Sequence, residues 1–127
     1  MLDLSNKLEL AWAAGLLEGE GYFGAYQAGE SDGWLRVKLV IECGMTDEDV
    51  IDRLHRFFPT ANKELHHSND PTRKTMFRIR LNRKADVLQA IETLYPLMGV
   101  RRQARIREMI EAGKRMHGRG HKQGSLL

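Results

Sequence analysis

The sequence predicts an α+β fold with a largely antiparallel sheet, in the order α-β-β-α-β-β-α-α, and three observations predict it. WLRVKLVIEC (34–43) and RKTMFRIRLNR (73–83) alternate strictly between two faces, as half-buried strands do. Three other segments carry apolar residues at helical spacing. Finally, the ββα unit occurs twice, and its strands are joined by turn chemistry too short for a crossover, GESDG (29–33) and SNDP (68–71).

The elements can be taken in order. Ser5 reads as the N-cap of a helix running to about Glu18, with Leu8, Ala11, Trp12, Gly15 and Leu16 at helical spacing and Gly19 and Gly21 ending it. YFGAYQA (22–28) is a strand. In 34–43, Leu35, Val37, Leu39, Ile41 and Cys43 take the inner face, and Trp34, Arg36, Lys38, Val40 and Glu42 the outer. Thr46 with Asp47, Glu48 and Asp49 starts a second helix, whose stripe of Val50, Ile51, Leu54, Phe57 and Phe58 stops at Pro59. ANKELHHS (61–68) is a polar strand candidate. In 73–83, Thr75, Phe77, Ile79 and Leu81 face inward, while Lys74, Met76, Arg78, Arg80 and Asn82 face out. A helix from Ala85 to Tyr95 packs through Val87, Leu88, Ile91, Leu94 and Tyr95, and a last helix runs from about Val100 to Met116. One domain, 1–116, is therefore expected, followed by a basic, Gly-rich tail, 117–127, expected to be mobile.

With 127 residues the chain is long enough for one real core. No apolar run approaches the roughly 20 residues needed to span a bilayer, so no membrane partner is expected. MLDLSNKLEL lacks the basic and apolar regions of a secretory signal, and the single Cys43 excludes an internal disulfide; a cytoplasmic chain, not secreted and associated with the nucleoid through DNA, is the expectation. The net charge of +3 hides an asymmetry: residues 1–70 hold 6 Lys/Arg against 13 Asp/Glu, and residues 71–127 hold 14 against 4. A polyanionic partner for the basic half follows. The outer strand faces, with Arg36, Lys38, Lys74, Arg78 and Arg80, are then a candidate DNA-binding surface, since a hairpin sheet can lie in the major groove, and Lys63 joins them as an expected DNA contact.

AWAAGLLEGEGYFG (11–24) poses a problem of sign. Glu18 and Glu20 sit at a helix C-terminus, where a carboxylate opposes the dipole by roughly 0.3–1 kcal/mol. Along the same helix, Ala11, Gly15 and Gly19 leave one stripe almost without side chains, although each internal glycine costs about 1 kcal/mol. Close approach of a second backbone would compensate, and a twofold dimer supplies one. The expected interface is Ala11, Trp12, Gly15, Glu18 and Gly19. A dimer would gather Glu18 and Glu20 of both copies with the orphan carbonyls, that of Gly19 among them, a good place for Mg²⁺ or another divalent cation. A cation between two basic sheets is the layout of a metal-dependent nuclease.

AAGLLEGEG (13–21) resembles, in register, the nine-residue signature of the LAGLIDADG homing endonucleases, with glutamate at both acidic positions. With the αββαββα order that follows, the resemblance covers roughly residues 5–112. It implies a saddle-shaped sheet over the major groove, a homodimer when one signature is present, and metal-dependent cleavage of both DNA strands. Glu20 then matches the metal-binding acid, with Gly19 beside it, and Glu18 the acid nearer to capping and packing. Arg101 or Arg102 matches the basic residue that assists at the scissile phosphate.

The chain departs from the family after the second strand, where Cys43 and Gly44 stand in place of a polar, water-organising residue; Glu42 or Thr46 could substitute. Two readings follow: a homodimeric endonuclease cutting a long, roughly palindromic double-stranded site, or a cleavage-incompetent dimer that binds DNA as a regulator or RNA as a splicing cofactor. Each half-site should span on the order of 10 base pairs, from a strand of about 10 residues at ~3.3 Å each. His66 and His67 read as surface or hydrogen-bonded residues rather than metal ligands. His117 and His121 have zinc-like spacing without partner cysteines, and zinc is rejected.

Overall fold

The structure is a computed structural model and describes residues 2–31 and 33–116. The tail expected over 117–127, with His117 and His121, lies outside the described residues. Helix α1 spans Lys7–Glu20, strands β1 and β2 span Gly21–Ser31 and Trp34–Met45, and α2 spans Glu48–Phe57. Strands β3 and β4 span Asn62–His66 and Met76–Leu81, α3 spans Lys84–Leu94, and a short 3-10 turn, Tyr95–Leu97, leads to α4, Val100–Met116. The expected order holds.

The sheet order is β1-β2-β4-β3, with every neighbouring pair antiparallel. The β1–β2 hairpin is the longest pairing, from Gly21 opposite Cys43 to Ser31 opposite Trp34. It contains a bulge between Gln27 and Gly29, and it closes at Gly33. Gly29 (φ +130°) and Gly33 (φ +79°) hold backbone angles that L side chains rarely adopt, so a glycine is needed at each.

The helices cover one face. Phe23, Leu39, Ile41, Cys43, Ile79 and Leu81 point inward and meet Ala13, Ala14 and Leu17 of α1, Ile51 and Leu54 of α2, Val87, Ile91 and Leu94 of α3, and Ile106 and Met109 of α4. At about 25 cal/mol per Å² of apolar surface this burial is the main favourable contribution to folding. The first residues also join the core: Leu2 is buried, and its backbone N–H and C=O both bond the Gln89 side chain, at 3.1 and 2.8 Å.

Local differences from the sequence reading have physical causes. Asn6, not Ser5, caps α1, because its Oδ1 accepts from the amides of Leu8 and Glu9. The helix continues through Gly19 to Glu20, since its stop is made by the extended Gly21, whose amide donates to Leu17 O. In α3, Leu88 is exposed while Asp86 is buried and accepts a 2.7 Å hydrogen bond from Thr60 Oγ1. A buried acid in the first turn is favoured by the helix dipole and by that donor, which sequence periodicity does not see.

Candidate functional site

Helix α1 delivers Glu20 to the edge where β1 begins and β2 ends. Gly21 makes the turn possible: a Cβ there would come within 2.7 Å of Leu17 O. The sign problem at this helix end has two different answers. The Glu18 carboxylate accepts from the Gly99 amide at 2.7 Å, so it sits at the positive end of α4. Arg102 Nε donates to the Glu18 carbonyl at 2.9 Å, which caps the negative end of α1. Two helix ends thus neutralise each other through one glutamate and one arginine. Gly99, which the sequence reading passed over, is part of this joint, because a Cβ on it would press to 3.3 Å from the carboxylate.

Glu20 has no such partner. It is exposed and makes no hydrogen bond or ion pair among the described residues. Its charge reaches Cys43, whose thiol is pushed up to about 11 by burial first and by Glu20 second. Among the described residues no three His, Cys, Asp or Glu side chains gather to hold a metal ion. Among the described residues the end of α1 therefore offers one uncommitted carboxylate beside the last carbonyls of the helix, that of Gly19 among them. Those are the hard oxygen donors that Mg²⁺ takes, but fewer than its octahedral shell requires.

The small-residue stripe is open. Ala11, Gly15 and Gly19 are exposed, and a Cβ on either glycine would meet nothing within 4 Å. Leu8, a turn earlier, is 83% exposed. Nothing among the described residues accounts for the glycines. Trp12 belongs elsewhere: it is half-buried under the Arg53 guanidinium, 4.1 Å from the ring centroid, and Arg53 is fixed by Glu9 at 2.6 Å. Trp12 thus makes an α1–α2 contact within the chain.

Of the basic residues, Arg36, Lys38, Arg78 and Arg80 lie on the outer sheet face, and Lys74 is exposed just before β4. Lys63 does not: it pairs with the inward-facing Ile79, and Glu48 and Asp52 of α2 hold its ammonium at 2.7 and 2.6 Å. Both bonds raise its pKa, Asp52 more than Glu48. Within the chain it therefore belongs to an ion-pair cluster on the helix-covered side, apart from the outer sheet face. Arg78 and Arg80 are not bare cations either, because Glu64 and Glu42 share their face and bond them. For Arg80, burial works against the charge, and Glu42 and then Glu64 outweigh it, raising the pKa. The alternation of β2 and β3 contains both glutamates, so the signal was present. Glu42 is thereby committed and does not stand free as a water-organising group; Thr46 is exposed. Of the two arginines proposed near the phosphate, Arg102 is engaged with Glu18, whereas Arg101 is exposed and unpaired among the described residues.

No family model matches the chain, and no curated protein sequence matches it. Solved structures do. The homing endonuclease I-TnaI superposes with a TM-score of 0.66 at 14% identity, over 93% of this chain and 77% of its own. I-CvuI, in complex with the I-CreI target in the presence of Mg and with the DNA not cleaved, gives 0.64 at 16% identity, over 90% and 71%. The LAGLIDADG meganuclease I-AabMI bound to uncleaved DNA gives 0.59 at 16% identity, over 84% of this chain and 35% of its own. The chain has the fold of the LAGLIDADG homing endonucleases.

Proposed function

From that shared fold and the geometry of α1, we propose that the chain is a homodimeric, sequence-specific DNA endonuclease that makes divalent-cation-dependent double-strand cuts in a long, roughly palindromic site. One observation carries this reading: an open glycine stripe ends in the one uncommitted carboxylate of the helix. Two copies joined along Ala11, Gly15 and Gly19 would bring two Glu20 side chains together at the twofold axis. Each acid, with the Gly19 carbonyl beside it, would hold the cation; when bound, the cation supplies an activated water and neutralises charge on the leaving oxygen. The chain's own residues do the rest. Glu18 and Arg102 fix the end of α1, so Glu20 is presented from a rigid joint. Arg101, exposed and unpaired among the described residues, would meet a phosphate, and the outer sheet face would meet the groove. The DNA complexes of I-CvuI and I-AabMI support duplex DNA as the substrate class.

Glu20→Gln tests the proposal, since it keeps size and removes the charge. Plasmid cleavage should fall by at least the ~10²–10³ typical of losing a group that stabilises transition-state charge, while duplex binding survives. Cleavage by the variant at the wild-type rate would exclude Glu20 as the metal ligand. A second reading, DNA or RNA binding without cleavage, is favoured by one feature: Cys43 and Gly44, in the last residues of β2, offer no polar side chain, and Glu42 is tied to Arg80. Wild-type protein that binds a cognate duplex yet leaves it intact with Mg²⁺ would establish it.

A further inference from the structure

The outer sheet face holds an arrangement that phosphate neutralisation does not explain. Glu42 is directly paired with Arg80 across β2 and β4, and Glu64 with Arg78 across β3 and β4. Arg80 Nε donates to Glu42 Oε1 at 2.7 Å, and Arg78 Nε and Nη2 both donate to Glu64 Oε1, at 2.9 and 2.6 Å. Arg78 also lies 3.8 Å from Glu42 and Arg80 4.0 Å from Glu64, which closes the four side chains into one network. Its formal charge is zero. Arg36 and Lys38, farther along β2, make no ion pair among the described residues.

A carboxylate repels phosphate, so two of them on this surface weaken its attraction to a polyanion unless they meet hydrogen-bond donors. In the major groove the donors are base amino groups: a glutamate accepts from the cytosine N4 amino group, and an arginine fork donates to guanine O6 and N7. One G·C pair presents both sets side by side. An A·T pair would set the thymine O4 acceptor against the carboxylate, which penalises the wrong sequence.

Resting on the DNA-binding reading above, we propose that Glu42–Arg80 and Glu64–Arg78 are specificity-determining pairs, each reading one G·C base pair with arginine on guanine and glutamate on cytosine. In the free protein each pair holds its own fork in place, and on binding the mutual ion pair is exchanged for base contacts. The face then contributes sequence discrimination, and attraction to the backbone comes from the cations around it.

The test is selection from a pool of randomised DNA duplexes, in chelator so that nothing is cut, followed by sequencing. Wild-type protein should enrich duplexes with two fixed G·C pairs in each half-site. Arg80→Gln should exchange guanine for adenine at one of those positions, because an amide suits adenine N6 and N7. Arg80→Lys, which keeps the charge, should lower discrimination there by roughly ten- to a hundredfold without a new preference. Glu42→Gln should relax the same position. Enriched duplexes without fixed G·C pairs, or preferences unchanged in all three variants, would overturn the assignment and leave DNA binding standing. Failure of the wild type to enrich any duplex would overturn the DNA-binding reading as well.

Discussion

Glu18 and Glu20 stand two residues apart and have opposite situations. Glu18 stabilises the positive end of another helix, so Glu18→Ala should cost about 1 kcal/mol, within the usual range for losing an N-terminal cap. Urea unfolding would measure it, and no loss would mean that the Gly99 contact is idle. Residue chemistry also sets a pH limit. Cys43 is buried and its pKa is raised to about 11 from 9.0, so between those values the unfolded chain has lost a proton that the folded chain keeps. Stability from this group is therefore intact below pH 9 and declines above it, by about 1.4 kcal/mol per pH unit until the folded thiol itself titrates. Cys43→Ala should be less alkali-sensitive than wild type when both are unfolded under reductant at pH 8 and 10. The sequence made Glu20 legible, because two glycines and two misplaced acids announce an unusual helix end. It did not make the partner of Glu18 legible, since Gly99 and Arg102 are 81 and 84 residues away and no local pattern connects them.

At the scale of elements, the strands and helices with strong alternation or stripes were readable in type and order, and their ends were not. Caps decide the ends: Asn6 took the place of Ser5 because its oxygen reached two amides, and Gly21 extended α1 by two residues beyond Glu18. The polar strand β3 has no apolar alternation to tell its faces apart, so nothing local shows that Lys63 lies on the side where α2 supplies two carboxylates. For α1 the open stripe gives a discriminating pair of variants. Gly15→Ala in a monomer should stabilise the helix by up to about 1 kcal/mol, as nothing within 4 Å obstructs the new methyl. In a dimer the same stripe is in contact, so Gly15→Leu should leave the circular dichroism of the fold unchanged and abolish association. Light scattering reads the outcome, and a wild-type monomer at micromolar concentration would remove the shared metal site.

For the whole molecule, the distribution of charge predicts how binding responds to salt. Each neutralised phosphate contributes a slope of roughly 0.9 in log affinity against log salt. Arg36→Ala with Lys38→Ala should lower the slope by about 2 if both face the backbone. A charge-neutral quadruple change of Arg78, Arg80, Glu42 and Glu64 to Gln should leave the slope unchanged; a flatter one would show that the arginines abandon their glutamates for phosphate. The composition of the chain's two halves pointed to a polyanion. It concealed that part of the basic surface is internally balanced, because a tally of residues cannot report which charges touch. The joint at Glu18 adds a consequence in time. A ribosome delivers the acidic signature before α4, so a nascent chain carries Glu20 long before Gly99 and Arg102 arrive to seat it. Incomplete copies hold the acid on an unanchored helix end, and the seat of Glu20 is completed only when α4 has been made.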